Sequence, residues 1–390
     1  AQRVMTRSRV STEGIRLMSN KALFRVVHVS DLDVRAANII KQEMLSRGGE
    51  VATSREVFEL SGGRADCVLM GTLTQFERLL PKLKQQPFGL RSLAASIESA
   101  LRNYDTPMPA TPAGLDLTAA PLLMGVLNVT PDSFSDGNSY ADVESAVAAA
   151  LTMIEEGATF VDVGGESTRP GAGPVSADEE LRRVLPVLTA LAGPLAGRIS
   201  VDTYKADIAA RALKAGAYMI NDISALRMDS SMVDVVRDAE CPVILMHMKG
   251  EPRSMQDDPR YDDVIEEIYT FFLERLNWAV DHGLKEENLL IDPGIGFGKS
   301  AEHNLEILRN LPAFRSLGRP LVIGTSRKRF LGEIAGTTEP AGRDSATAAT
   351  TALAVRDGAH ILRVHRVGAN AEAALVARAV FPRSHSETNW

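Results

Sequence analysis

Two cysteines in 390 residues leave no room for a disulfide framework. Cys67 and Cys241 lie far apart in strand-like apolar runs and read as buried thiols of a reducing compartment. A basic excess is also missing. The chain has 43 Lys and Arg against 50 Asp and Glu, a formal charge of −7, so it carries no electrostatic footprint for nucleic acid. An anionic substrate must instead meet a local basic site. Long apolar runs are absent too: none approaches the roughly 20 residues of a membrane span, so no membrane partner is expected. The first twenty residues hold Arg3, Arg7, Arg9 and Arg16 against Glu13 but no clear apolar face, which suits a frayed terminus more than a transit signal. The expected location is the cytoplasm.

What is present is a hydrophobic content of 45% with only 5% aromatics, as in an α/β core. The length exceeds one domain, although a (β/α)8 barrel alone takes about 250 residues. Within 1–104, Ala22 to Val29 is strand-like, and Val34, Ala37, Ile40, Met44 and Leu45 mark a helix face. Cys67 to Met70 predicts a second strand, followed by a helix with Phe76, Leu79, Leu80 and Leu83 and another with Leu90, Leu93, Ile97, Leu101 and Tyr104. This is a small α/β domain without a nucleotide fingerprint, most simply a packing or assembly unit. Pro107, Pro109 and Pro112 stiffen a linker over 105–118.

From 119 to 390 short apolar runs alternate with helical patterns. The runs fall near 122–127, 159–163, 198–201, 217–220, 242–246, 289–291, 320–323 and 360–364. Eight βα units predict a closed TIM barrel, with an open doubly wound sheet as the alternative. Polar residues gather past the strand ends: Asn128 and Asp136, then Glu166, Thr168 and Arg169, then Asp202, Asn221, His247 and Asp292, then Lys328, Arg363 and His365. Active sites of this fold occupy that face. Gly164 to Gly171 is a Gly-rich loop with an arginine and without the Lys-Ser/Thr ending of a Walker motif, so it reads as a closing loop for an anion. Asp292 before Pro293-Gly294 also suits a turn cap, and Asp136 before Gly137 a turn. Asp162 and Asp222 read as structural acids. His247 has no second His or Cys to complete a transition-metal set.

LLMGVLNVTPDSFSDG at Leu122 to Gly137 is followed in order by GGESTRPG, SVDTYK, INDI, LMHM, IDPGIGFGK, GTSRK and RVHRV. Over Leu122 to Phe381 the chain resembles the dihydropteroate synthases. The resemblance implies a transferase joining 6-hydroxymethyl-7,8-dihydropterin diphosphate to 4-aminobenzoate, with Mg2+ at Asn128 and a homodimeric assembly. It puts the pterin on Asp202, Asn221, Asp292, Lys328 and Arg363, and the diphosphate on Asn128, Thr168, Arg169, Arg363 and His365. Aminobenzoate falls to Phe134, Pro170, Phe297 and the stem of Lys328; the implied catalytic group is Asp136, Asp202, Lys328, Arg363 and His365. Two carboxylates supply the acceptors, and the amide the mixed donor and acceptor, that a pterin edge needs. A corrinoid-linked methyltetrahydrofolate methyltransferase and a non-catalytic pterin-binding protein are the alternatives. The first does not account for the Ser-Phe-Ser-Asp loop, Ser-Arg-Lys and Arg-Val-His together, and the second should have lost Lys328, Asp136 or the Arg363–His365 pair, none of which is lost.

Overall fold

The computed structural model describes residues 2–61, 63–105, 111–112, 114–117, 121–130, 140–166, 173, 175–251 and 254–382. The chain divides into two compact units, Ala1–Arg102 and Asn103–Trp390.

The first unit is a three-stranded sheet in the order β1-β3-β2, formed by β1 (Phe24–Asp33), β2 (Glu50–Thr53) and β3 (Arg64–Thr72). Both strand pairs are antiparallel. The helices Val34–Leu45, Leu73–Leu83 and Leu90–Asp105 contribute Ile40, Met44, Phe76, Leu79, Leu83 and Leu90 to one core with Leu69 of β3. Thr72 starts its helix with a reciprocal capping box to Gln75. The sequence reading lacks β2, in which Val51 is the only buried residue, too little for an apolar pattern.

The second unit is the (β/α)8 barrel. Its strands are β4 (Leu122–Asn128), β5 (Phe160–Gly164), β6 (Ile199–Asp202), β7 (Met219–Asp222), β8 (Val243–Met246), β9 (Leu289–Asp292), β10 (Val322–Ile323) and β11 (Ile361–Val364). They run in the order β10-β11-β4-β5-β6-β7-β8-β9, every pair parallel. A parallel bridge between Ile291 and Leu321 joins β9 to β10 and brings the ring nearly to closure, which decides against the open sheet. Alternation along each strand sends Val161, Val163, Ile199 and Val201 to the helices. Leu122, Met124, Phe160, Met219, Ile244, Leu290, Val322 and Ile361 form a separate cluster filling the barrel.

Residues 106–110, 113 and 118 of the Pro-rich segment lie outside the described residues. Leu115 and Leu117, near its end, join the interior barrel cluster. That part of the connection is therefore barrel core and not free linker. Among the described residues no helix is long and apolar enough to cross a membrane.

Candidate active site

The side chains that alternate inward change from apolar to polar at the last turn of the barrel. Asn128, Asp202 and Asp292 are the final residues of β4, β6 and β9, and Asn221 lies in β7. They therefore sit within the strands rather than past them, as the sequence had suggested, and the parallel ladder fixes their backbones. With Lys328, Arg363, His365 and Phe297 they line one cavity of about 710 Å3. Phe134, Asp136, Thr168, Arg169 and Pro170 lie outside the described residues.

Arg363 reaches across the barrel from β11. Its Nε donates to Asp162 Oδ2 at 2.6 Å and its Nη2 to Asp202 Oδ2 at 2.7 Å. Burial alone would lower the arginine's pKa, but the two carboxylates overcome that and hold it up. Two of its five donors are committed, so three donors and the planar face are left for a ligand. Burial pushes Asp202 up to about 7 against the opposing pull of Arg363. Asp292 is likewise raised by burial, while Gly294 N–H, donating to its Oδ1 at 2.7 Å, pulls it back. Asp292 is thus both a turn cap and a cavity residue.

The glycines of IDPGIGFGK permit close approaches. Gly294 has φ +68°, and a Cβ there would fall 1.9 Å from the carbonyl oxygen of His247. Gly298, at φ +63°, would put one 2.1 Å from Lys249 O. This tight loop carries Phe297, over whose ring Lys328 Nζ sits at 4.0 Å from the centroid. Lys328 follows Arg327, a non-glycine residue at φ +58°. Arg327 is held there by paired contacts to Asp344 at 2.8 and 3.0 Å and by its N–H donating to Thr347 Oγ1 at 3.1 Å. His365 N–H donates to Ser326 Oγ at 3.1 Å, and its Nδ1 lies 2.9 Å from the same hydroxyl, which fixes the ring.

Several residues of the site were missed or undervalued in the sequence. Lys205 Nζ donates to Glu166 and Glu180 at 2.5 Å each and to Val175 O at 2.7 Å. Lys299 is buried, with His247 Nδ1 and Phe297 O each 3.0 Å from its Nζ. Burial lowers His247 to about 2, so it is a neutral imidazole behind the cavity. Ile223, Met246, Met255 and Phe297 form an apolar wall. Asp222 accepts from Ser224 N, Ser224 Oγ and Leu226 N and only fixes its own turn. Asp162 does more, joining Arg363 to Asn221. An acid inside the otherwise apolar Phe160-Val161-Asp162-Val163 was the signal for it, because a buried charge needs a partner. Among the described residues no three His, Cys, Asp or Glu side chains are grouped to hold a metal ion.

The barrel's mouth sets carboxylates and an amide beside a basic strand end, which suits a polar heterocycle next to an anion. Residues 124–365 match the family described as pterin binding enzyme, and the chain belongs to that family. A dihydropteroate synthase of Synechocystis sp. is 42% identical over 278 residues, covering 71% of this chain and 96% of that protein. A solved Xanthomonas albilineans dihydropteroate synthase in complex with 7,8-dihydropteroate is 44% identical, with TM-score 0.61 over 68% of this chain and 95% of that one. A probable bifunctional folylpolyglutamate synthase/dihydropteroate synthase of Haloferax volcanii is 40% identical over 97% of this chain, which spans 46% of that longer protein. Within the family the chain stands with the dihydropteroate synthases, transferases of folate biosynthesis.

Proposed function

We propose that the barrel condenses 6-hydroxymethyl-7,8-dihydropterin diphosphate with 4-aminobenzoate. A C–N bond forms at the pterin methylene, the C–O bond to diphosphate breaks, pyrophosphate leaves and the amine loses one proton to water. The observation that carries this reading is the convergence of Asp202, Asn221, Asp292, Lys328 and Arg363 on one cavity. Asp202 and Asp292 accept from the N–H groups of the pterin, and Lys328 donates to its carbonyl oxygen. The uncommitted donors of Arg363, with His365, meet the diphosphate, and Phe297 with the stem of Lys328 walls the aminobenzoate. Phe134, Pro170, Thr168, Arg169 and Asp136 complete the site in this reading.

An aromatic amine attacks as its neutral form, without a general base. Conjugation with the dihydropterin ring lets the methylene hold positive charge. The carboxylates around the ring favour that charge, while Arg363 and His365 favour negative charge on the departing diphosphate. The two fields together lower the barrier to C–O cleavage, which makes the transition state dissociative.

Mg2+ fits Asn128. Asn128 lines the cavity and would give an amide oxygen to the ion, and the described residues supply no all-protein cage, which suits an ion that takes most of its oxygens from phosphate and water. When bound, the ion supplies charge neutralisation for the diphosphate. A homodimer belongs to the same reading and is supported by exposed Leu375, Val376 and Val380 on the helix Val367–Val380. The two buried free thiols support a cytoplasmic location. Incubation with both substrates and Mg2+ tests the reading: stoichiometric pyrophosphate and dihydropteroate are expected, and pterin binding without product contradicts it.

A further inference from the structure

Asp162 is 0% exposed and is not part of the cavity wall, yet it contacts two residues that are. Its Oδ2 accepts from Arg363 Nε at 2.6 Å and from Asn221 Nδ2 at 3.0 Å. The guanidinium keeps this carboxyl in company with a permanent charge, and an ionised carboxylate can only accept. The Asn221 amide must therefore turn its NH2 toward Asp162. A terminal amide torsion is broad and roughly two-fold, so without such a partner the amide is free to turn over and exchange its oxygen and nitrogen.

We infer that Asp162 is a positioning residue that decides which end of the Asn221 amide reads the ligand. With one N–H committed to Asp162, Asn221 offers the cavity its carbonyl oxygen and its second N–H in a fixed order. Asn221 thus adds an acceptor to Asp202 and Asp292, and the pocket selects a heterocycle whose facing edge carries N–H donors. The same carboxylate oxygen orients Arg363, so one buried group sets both the edge-reading amide and the cation across from it. This inference rests on the pterin reading for the identity of the heterocycle. The charged groups acting on this centre are Arg363, Asp202 and Asp292 within the barrel, with Glu180 and Asp222 behind Asp202.

The test uses the full chain and steady-state kinetics with each substrate varied in turn. Asp162→Leu removes the acceptor, and the expected result is a KM for the pterin diphosphate raised about ten- to hundredfold, the worth of one charge-assisted hydrogen bond. The KM for 4-aminobenzoate should stay within about threefold, because a residue behind the pterin adds nothing to the other subsite. Asp162→Asn keeps an oxygen in place, so the pterin KM should hold within about threefold. Its pH profile should change, however: loss of a negative charge beside Asp202 moves the acid limb of kcat/KM to lower pH. An unchanged pterin KM in Asp162→Leu, equal increases in both KM values, or an unmoved acid limb in Asp162→Asn would each overturn the inference.

If Asp162→Leu does not fold, a pair of variants decides. Asn221→Asp sets two carboxylates against each other and should lose pterin affinity. The double variant Asp162→Asn with Asn221→Asp restores a donor–acceptor pair and should recover at least about tenfold of it. No recovery contradicts the inference. Failure of the unaltered chain to make dihydropteroate counts instead against the proposed function, and the same variants are then compared by calorimetric binding of 6-hydroxymethylpterin.

Discussion

Lys205→Met should destabilise the barrel more than any surface substitution. Lys205 Nζ holds Glu166 Oε2 and Glu180 Oε2, both at 2.5 Å, and the three side chains are 16%, 11% and 1% exposed. Methionine keeps the length and removes the charge, so Glu180 is left buried without its cation. Breaking a buried ion pair from one side costs about 3–5 kcal/mol. At about 2–4 °C per kcal/mol for a unit of this size, the barrel transition should fall by roughly 6–20 °C in scanning calorimetry. Adding Glu180→Leu should return part of the loss, because the unpaired charge goes with it. Function should suffer as well: Glu180 raises the pKa of Asp202, and an unpaired Glu180 raises it further, which weakens pterin binding at neutral pH. A transition lowered by less than about 2 °C would refute the argument, since the carboxylates would then be adequately solvated without the lysine.

Three further outcomes follow from the same geometry. Burial places Asp202 at about 7, so binding of 6-hydroxymethylpterin should strengthen as pH rises through that value, and Asp202→Asn should flatten the dependence in calorimetry. For stability the sign is opposite: a folded pKa above the unfolded value of about 3.9 gives a contribution fully present below about pH 4 and lost as pH rises through about 7. Asn128→Ala should lower kcat at least about tenfold while leaving the binding of a pterin without diphosphate nearly unchanged; full activity after exhaustive chelation would contradict the metal's part in this. A chain beginning at Asn103 should retain turnover, because the cavity lies wholly within the second unit. One beginning at Thr118 loses the cover of Leu115 and Leu117 and should be less stable by about 1.5–3 kcal/mol for each leucine, read from urea unfolding.

The barrel was legible because each strand is a short apolar run in a chain with few other such runs, and the eight runs lie within a few residues of the eight strands. β2 was not, since a four-residue strand with Val51 alone buried has no periodicity to detect. Closure was legible only in the fold, because Ile291 and Leu321 each belong to an apolar run but nothing in either run says that the two pair. In the site, Asp202, Asn221, Asp292 and Arg363 could be found from polar residues at strand ends. Lys205 and Lys299 could not, because a lysine in a loop is usually a solvated charge, and only the fold shows both enclosed by acceptors. Asp162 was readable in principle: an acid between Val161 and Val163 in a buried strand has to be paired.

In the proposed reaction the carboxylates favour positive charge on the ring and the cations favour negative charge on the diphosphate, a division of roles that holds although Arg363 touches Asp202. Isotope labelling of the bridging oxygen in the pterin diphosphate tests that division most directly. Incubated with the enzyme and Mg2+ in the absence of aminobenzoate, recovered substrate should show the label scrambled into non-bridging positions, because ionisation is reversible before capture. Recovered substrate with the label unmoved, together with a chemical step that accelerates steeply with the nucleophilicity of substituted anilines, would contradict a dissociative step and favour direct displacement.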